Sequence, residues 1–160
     1  MTRPFVSRPA AALVVGLAVA GCSAPTGADD EAVTAWMDER AAEPAPDDLL
    51  GTAAARVGPE DPAPADSSGA VALRFAAAAH LDGVRLSCLG DGALDFHVYV
   101  TTEANAGITQ TDVLTFPDVP CGAEAREKAL DLTGVVGVGV TGAGADRRGA
   151  WHALVLGTPA

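Results

Sequence analysis

The chain has 160 residues, with 10 Lys and Arg against 21 Asp and Glu, and a formal net charge of −11. That length allows one domain of ordinary size plus a tail. The acidic balance argues against a nucleic-acid partner, because phosphates reward Lys and Arg. It also argues against purely electrostatic adhesion to anionic lipid.

Residues 1–21 read as a targeting segment. Arg3 and Arg8 form a positive start, and Ala10–Ala20 is an apolar run without charge. The run is too short for a bilayer core of about 30 Å, which needs roughly 20 helical residues, but it suits the apolar stretch of a signal peptide. Val19-Ala20-Gly21-Cys22 follows and resembles the lipobox of bacterial lipoprotein signal peptides: aliphatic, small, small, Cys. The resemblance implies that Cys22 receives a diacylglyceryl group and becomes the first residue after cleavage. Two acyl chains suffice for stable anchoring, so the expected location is the outer face of the plasma membrane. The alternative is an ordinary secretory signal cut near Ala18 or Ala20, which leaves Cys22 a free thiol. Losing Arg3 and Arg8 leaves 8 basic residues against 21 acidic ones, a net charge of −13 for the mature chain. Nine of the ten basic residues are Arg, a bias that suits GC-rich codons and a high-GC Gram-positive bacterium.

Residues 22–69 hold 11 acidic residues, two basic ones (Arg40 and Arg56) and six of the 11 prolines. This composition predicts an acidic tether, with the domain boundary near Ser68-Gly69. Glu43-Pro-Ala-Pro-Asp and Pro59-Glu-Asp-Pro-Ala-Pro-Ala-Asp-Ser-Ser-Gly lack the large apolar groups needed to offset ordering entropy. Their prolines and like charges favour extension, which would lift the domain off the membrane. Two pieces read as helical. Asp29 or Asp30 caps one that runs to about Ala42 and stops before Pro44. Val33, Trp36, Met37 and Arg40 share one of its faces, which either docks on the folded domain or is offered to a partner. Leu49, Ala53 and Val57 suggest a second short helix ending at Gly58-Pro59.

From Ala70 to Ala160 the pattern is β. Val71, Leu73 and Phe75 alternate with smaller or polar residues, as do Val84, Leu86 and Cys88, and then Leu94, Phe96, Val98 and Val100. Such alternation puts one face in a core and the other in water. Further strands are expected at Ile108–Thr115, Lys128–Thr133, Val135–Thr141 and Ala150–Leu156. Turn residues divide them, among them His80-Leu-Asp-Gly and Leu89-Gly-Asp-Gly. About seven short strands predict an all-β fold, a small antiparallel β-sandwich of immunoglobulin-like or jelly-roll-like kind. Ala123–Leu130 also reads as a helix. Cys88 and Cys121 are the only cysteines besides Cys22, and two cysteines in one exported domain most often pair.

The order Leu86-Ser-Cys-Leu-Gly-Asp-Gly, Asp95–Val100, Val119-Pro-Cys-Gly, Leu130-Asp-Leu-Thr-Gly-Val and Gly149-Ala-Trp-His-Ala-Leu-Val resembles small lipoproteins of high-GC Gram-positive bacteria. It implies a disulfide-linked β domain on a lipid anchor, and it brings no activity with it.

Chemistry-bearing residues are sparse. Asp95, His97, Tyr99 and Thr101 fall on one face of a strand, since residues two apart point the same way. They form either a solvated sheet face, a ligand surface, or a base oriented by a carboxylate in a hydrolase. No Gly-x-Ser-x-Gly elbow surrounds Ser87, and neither histidine pairs at metal-ligand spacing nor an Asp-rich calcium loop occurs. Trp151 reads as a core aromatic, or less favourably as a sugar-stacking platform, which would require Trp151 or Tyr99 to be exposed. The expectation is a non-catalytic binding or interaction module with no cofactor and no metal. The membrane, through Cys22, and an envelope protein or wall component are its expected partners. The binding surface is placed at Asp95, His97, Tyr99, Thr101 and Trp36. A structural envelope lipoprotein without a ligand is the alternative, followed by a hydrolase using Asp95 and His97.

Overall fold

The computed structural model describes residues 27–62, 65–103, 107–122 and 124–159; the signal segment and Cys22 lie outside them. Helix α1 spans Asp30–Ala42. Six strands follow: β1 (Leu49–Val57), β2 (Val71–Leu89), β3 (Ala93–Glu103), β4 (Thr109–Pro120), β5 (Arg126–Ala143) and β6 (Gly149–Pro159). They form one antiparallel sheet in the order β1-β6-β2-β5-β3-β4. The fold is all-β, as the alternation of apolar residues predicts.

The sheet doubles back on itself because β2 and β5, at 19 and 18 residues, are long enough to serve two layers. The first halves of β2 and the last of β5 pair at Val71–Arg74 with Gly137–Val140, beside β3 and β4. The other halves pair at Gly83–Leu86 with Arg126–Ala129, beside β6 and β1. Register shifts between Arg74 and Gly83 mark the corner, as bulges do where strands bend. The predicted turn at His80-Leu-Asp-Gly is therefore a bend within β2, and Gly134, at φ 70°, turns β5 at the matching place. Two pairs of predicted strands are thus fused. Of the helix that Ala123–Leu130 could form, the residues from Arg126 onward are instead the start of β5.

The two layers face each other over a core of Leu86, Val84, Trp151, Val155, Phe96, Val98, Val138 and Val140, among others. Trp151 on β6 meets Phe96 on β3 edge to face, with centroids 6.0 Å apart, a favoured aromatic geometry. Gly142 on β5 makes room for it: a Cβ there would lie 2.8 Å from Trp151 Cδ1. The layers are covalently tied by Cys88–Cys121, which joins the end of β2 to the residue after β4. The pairing expected from the two exported cysteines is present.

Part of the expected tether belongs to the folded domain. Leu49–Val57 is strand β1, in register with β6 from Leu49↔Leu156 to Val57↔Gly149, so the sheet begins 21 residues before the expected boundary at Ala70. The helical reading failed because Leu49, Ala53 and Val57 recur every four residues, a spacing that also fits a period of two. Ala53 and Val57 face the core. Helix α1 forms where the cap predicted it: the Ala32 N–H donates to Asp29 Oδ1 at 2.7 Å. The helix docks on the sheet through Val33, 3% exposed. Arg56 of β1 fastens it, its guanidinium donating to Asp30 Oδ1 at 2.7 Å and to Thr34 Oγ1 at 2.9 Å.

Candidate functional site

The outer face of β3 is continued by β5 on one side and β4 on the other. Asp95, His97, Tyr99 and Thr101 register with Ala143, Thr141, Gly139 and Gly137 of β5. Three of them also register with Thr115, Val113 and Thr111 of β4. The predicted stripe is therefore one row of a broader face, in which cross-strand neighbours lie about 5 Å apart.

Each member of the stripe is held differently. Thr101 Oγ1 and Thr111 Oγ1 share a hydrogen bond of 3.0 Å. His97 Nδ1 lies 3.3 Å from Thr115 Oγ1, whereas its Nε2 is buried without a protein partner. Asp95 Oδ1 accepts the Asp118 N–H at 2.9 Å. Asp118 has φ 52°, in the left-handed region that Asp tolerates better than most residues, and the register shifts at the facing Leu94/Phe96 step. Asp95 thus stabilises a bulge in β4, and His97 is engaged by a threonine. The aspartate does not orient the imidazole as the hydrolase reading requires.

Tyr99 departs from expectation. It points to the outer face yet is only 4% exposed, because residues Ser67–Ala70 fold over it. A 3-10 turn at Ser67–Gly69, capped by the Asp66 carboxylate accepting from the Ser68 N–H, brings Ala70 against the glycine row. A Cβ on Gly139 would lie 3.1 Å from Ala70 Cβ and 3.5 Å from Tyr99 Cβ. Burial raises the Tyr99 pKa above the usual phenol value, and the nearby Asp66 carboxylate adds to the rise. Beside it lies a groove of about 230 Å³, lined by Ser67, Arg74, Tyr99, Thr101, Thr109 and Gly137 among others.

Trp151 is 2% exposed. With Trp151 and Tyr99 both buried, the sugar-stacking reading fails. Trp36 is half-buried on α1, and the Arg40 guanidinium lies 5.5 Å above its ring. It stands on the opposite layer from the β3 stripe, so the structure does not bring Trp36 together with Asp95, His97, Tyr99 and Thr101. Beneath the end of α1, a cleft of about 410 Å³ is lined by Met37, Arg40, Glu43, Thr52, His152 and Leu154 among others. His152 is 7% exposed there. Burial lowers its pKa; Glu43 opposes that shift and Arg40 reinforces it.

Two features escaped the sequence reading. Ile108 and Val113, 67% and 52% exposed, are the large hydrophobic side chains left in solvent among the described residues. Val113 is on β4 and Ile108 immediately precedes it, and β4 is an edge of the sheet. Alternation alone does not distinguish an edge strand from an inner one, so nothing marked them. The second is a polar cluster at the bend of β2, where His80 Nε2 lies 2.9 Å from Asp82 Oδ1 and 3.4 Å from Asp131 Oδ1. His80 reads as a turn residue until the corner brings Asp131 beside it.

Among the described residues no group of three or more His, Cys, Asp or Glu is arranged to hold a metal ion, and no helix is long and apolar enough to cross a membrane. Comparison of the chain with protein-family models, with curated proteins and with solved structures gives no match.

Proposed function

We propose that this chain is a lipid-anchored, non-catalytic interaction module of the cell envelope, held on the outer face of the plasma membrane through Cys22. Its contact surface is the β3–β4 face together with the open edge of β4. One observation carries this reading: of the two exposed large hydrophobics, Val113 lies on the edge strand β4 opposite Tyr99 and Ile108 directly precedes that strand. An edge strand offers a row of unpaired backbone groups, which natural proteins usually blunt with charge, Pro or bulges. Here the blunting is confined to one end, where Pro117 and the Asp118 bulge lie. From Ile108 to Phe116 the only charged residue is Asp112. Such an edge suits addition of an extended segment from a partner protein, whose backbone pairs with β4 while its side chains meet Val113 and the Tyr99 groove. The lipobox supports the location, and the oxidised Cys88–Cys121 pair is in keeping with an exported domain.

The test is affinity purification of the tagged, full-length protein from its own membranes. The proposal expects an envelope protein that co-purifies with the wild type and is lost from Ile108→Asp and Val113→Asp variants of unchanged thermal stability. Equal recovery with wild type and variants would reject this surface, and no enrichment over an unrelated lipoprotein would reject the module itself.

A further inference from the structure

We infer that the domain is held close against the bilayer, with one end of the sandwich turned to the lipid headgroups and the β4 opening at the other end. This rests on the lipid-anchor reading of Cys22. Gly27 and Ala28 are attached to the sandwich. The Ala28 N–H donates to the Arg148 carbonyl at 3.1 Å, and a Cβ on Gly27 would lie 2.7 Å from the Arg148 backbone. From Cys22 to Gly27 is five residue steps, and a chain extends at most about 3.6 Å per residue. The attachment point therefore stands no more than about 18 Å from the acylated cysteine. The acidic stretch that composition marks as a tether cannot lengthen this leash, because it lies on the far side of Gly27 and is occupied by α1 and β1.

The place where the leash ends fixes the orientation. Gly27 and Ala28 sit among the turns Leu89–Leu94 and Ala145–Gly149, beside Cys121. All of these lie at one end of the sandwich: β3 leaves it at Ala93, β4 reaches it at Pro120, and β6 leaves it at Gly149. The opposite end holds Glu103, Ile108 and the β2 corner with His80, Asp82 and Asp131. The 11 residues of β3 separate the two ends by roughly 33 Å. Arg147 and Arg148, the only adjacent cations in the sequence, stand where the leash departs, beside Asp91 and Asp146, so the reach of the leash and not charge sets the arrangement. The headgroup layer is therefore the surface that this end meets, and Ile108 points away from it.

The experiment uses the full-length lipoprotein, with its Cys22 acylation verified by mass, reconstituted into phosphatidylglycerol-containing vesicles whose headgroups carry a short-range nitroxide quencher. A fluorophore is placed at Asp91→Cys or at Ile108→Cys, with the native disulfide kept intact. Quenching several-fold stronger at position 91 than at 108 is expected. A second protein carries about 20 Gly/Ser residues inserted between Cys22 and Gly27, which adds roughly 25 Å of mean reach; there the quenching at 91 should fall towards that at 108. Equal quenching at the two positions of an acylated protein overturns the orientation alone. Unchanged quenching after the insertion overturns the short-leash argument. A mature protein without lipid on Cys22 overturns the anchor reading, and this inference with it.

Discussion

Opening the Cys88–Cys121 bridge should cost this domain a large share of its stability. The bridge spans 33 positions. In the chain-entropy treatment a loop of that length restricts the unfolded ensemble by about 12.5 cal/mol/K, or about 3.7 kcal/mol at 25 °C. Domains of this kind are stable by only about 5–15 kcal/mol in all. Two perturbations separate the sources of that loss. Reducing the wild type leaves both sulfur atoms in place, so it removes the cross-link and keeps the packing of Cys88, which is buried at 3% exposure. The double variant Cys88→Ala, Cys121→Ala also removes the packing, a further loss of about 1 kcal/mol for a buried group of that size. With a urea m-value of about 2 kcal/mol/M, reduction should lower the unfolding midpoint by roughly 2 M, and the double variant somewhat more. The assay is urea unfolding followed by Trp fluorescence, with and without reductant. A drop of less than about 0.5 M on reduction would mean that the two layers stay associated in the unfolded chain, and the entropic reasoning would be refuted.

Three further outcomes follow from buried groups. Burial under α1 lowers the His152 pKa, so the folded state resists a proton that the unfolded state accepts; stability is full above about pH 6.5 and is lost as the pH falls below it. His152→Gln should flatten that part of the urea-midpoint profile, and an unchanged profile would remove His152 as its source. Tyr99 is the only tyrosine in the chain, so phenolate absorbance reports it alone. Its pKa is raised in the fold, so its midpoint should lie above the value in denaturant and move down in Asp66→Asn. The associated stability is present below about pH 10 and lost as the pH rises through the folded value. Gly142→Ala places a Cβ against the Trp151 ring, and overpacking of this kind costs about 1–3 kcal/mol; differential scanning calorimetry should show the lowered Tm, and the same substitution made in a Trp151→Leu background should lower Tm by less than it does in the wild type.

Local signals made some parts of the structure legible and long-range ones hid others. Helix α1 was readable because both its ends are written in adjacent residues, Asp29 at the cap and Pro44 after the stop. The alternation in β3 and the central place of Trp151 were readable because each follows from period two and size. The strand β1 was not, since its four-residue recurrence fits a helix equally well and its partner, β6, is about 100 residues away. Bends were mistaken for ends: Gly83 and Gly134 look like turn residues, and only the two-layer arrangement reveals that they let continuous strands change layer. A Cβ on Gly83 would lie 2.8 Å from the Lys128 carbonyl oxygen, so that glycine serves close approach of backbone. The candidate site suffered most from this kind of distance. Asp95, His97, Tyr99 and Thr101 do share a face, but Tyr99 is covered by residues 67–70, which no pattern in β3 announces. The exposed edge at Ile108 and Val113 depends on which strand ends the sheet, a property of topology alone.

The most direct measurement is photo-crosslinking in intact cells from a benzophenone amino acid placed at Val113, with the same group at Glu127 on the other layer as the comparison. An interaction module that works through the β4 edge should give one dominant crosslinked envelope protein from position 113, absent from 127 and lost when Ile108→Asp is added. The same adducts from both positions, or none above those of an unrelated lipoprotein, would contradict it.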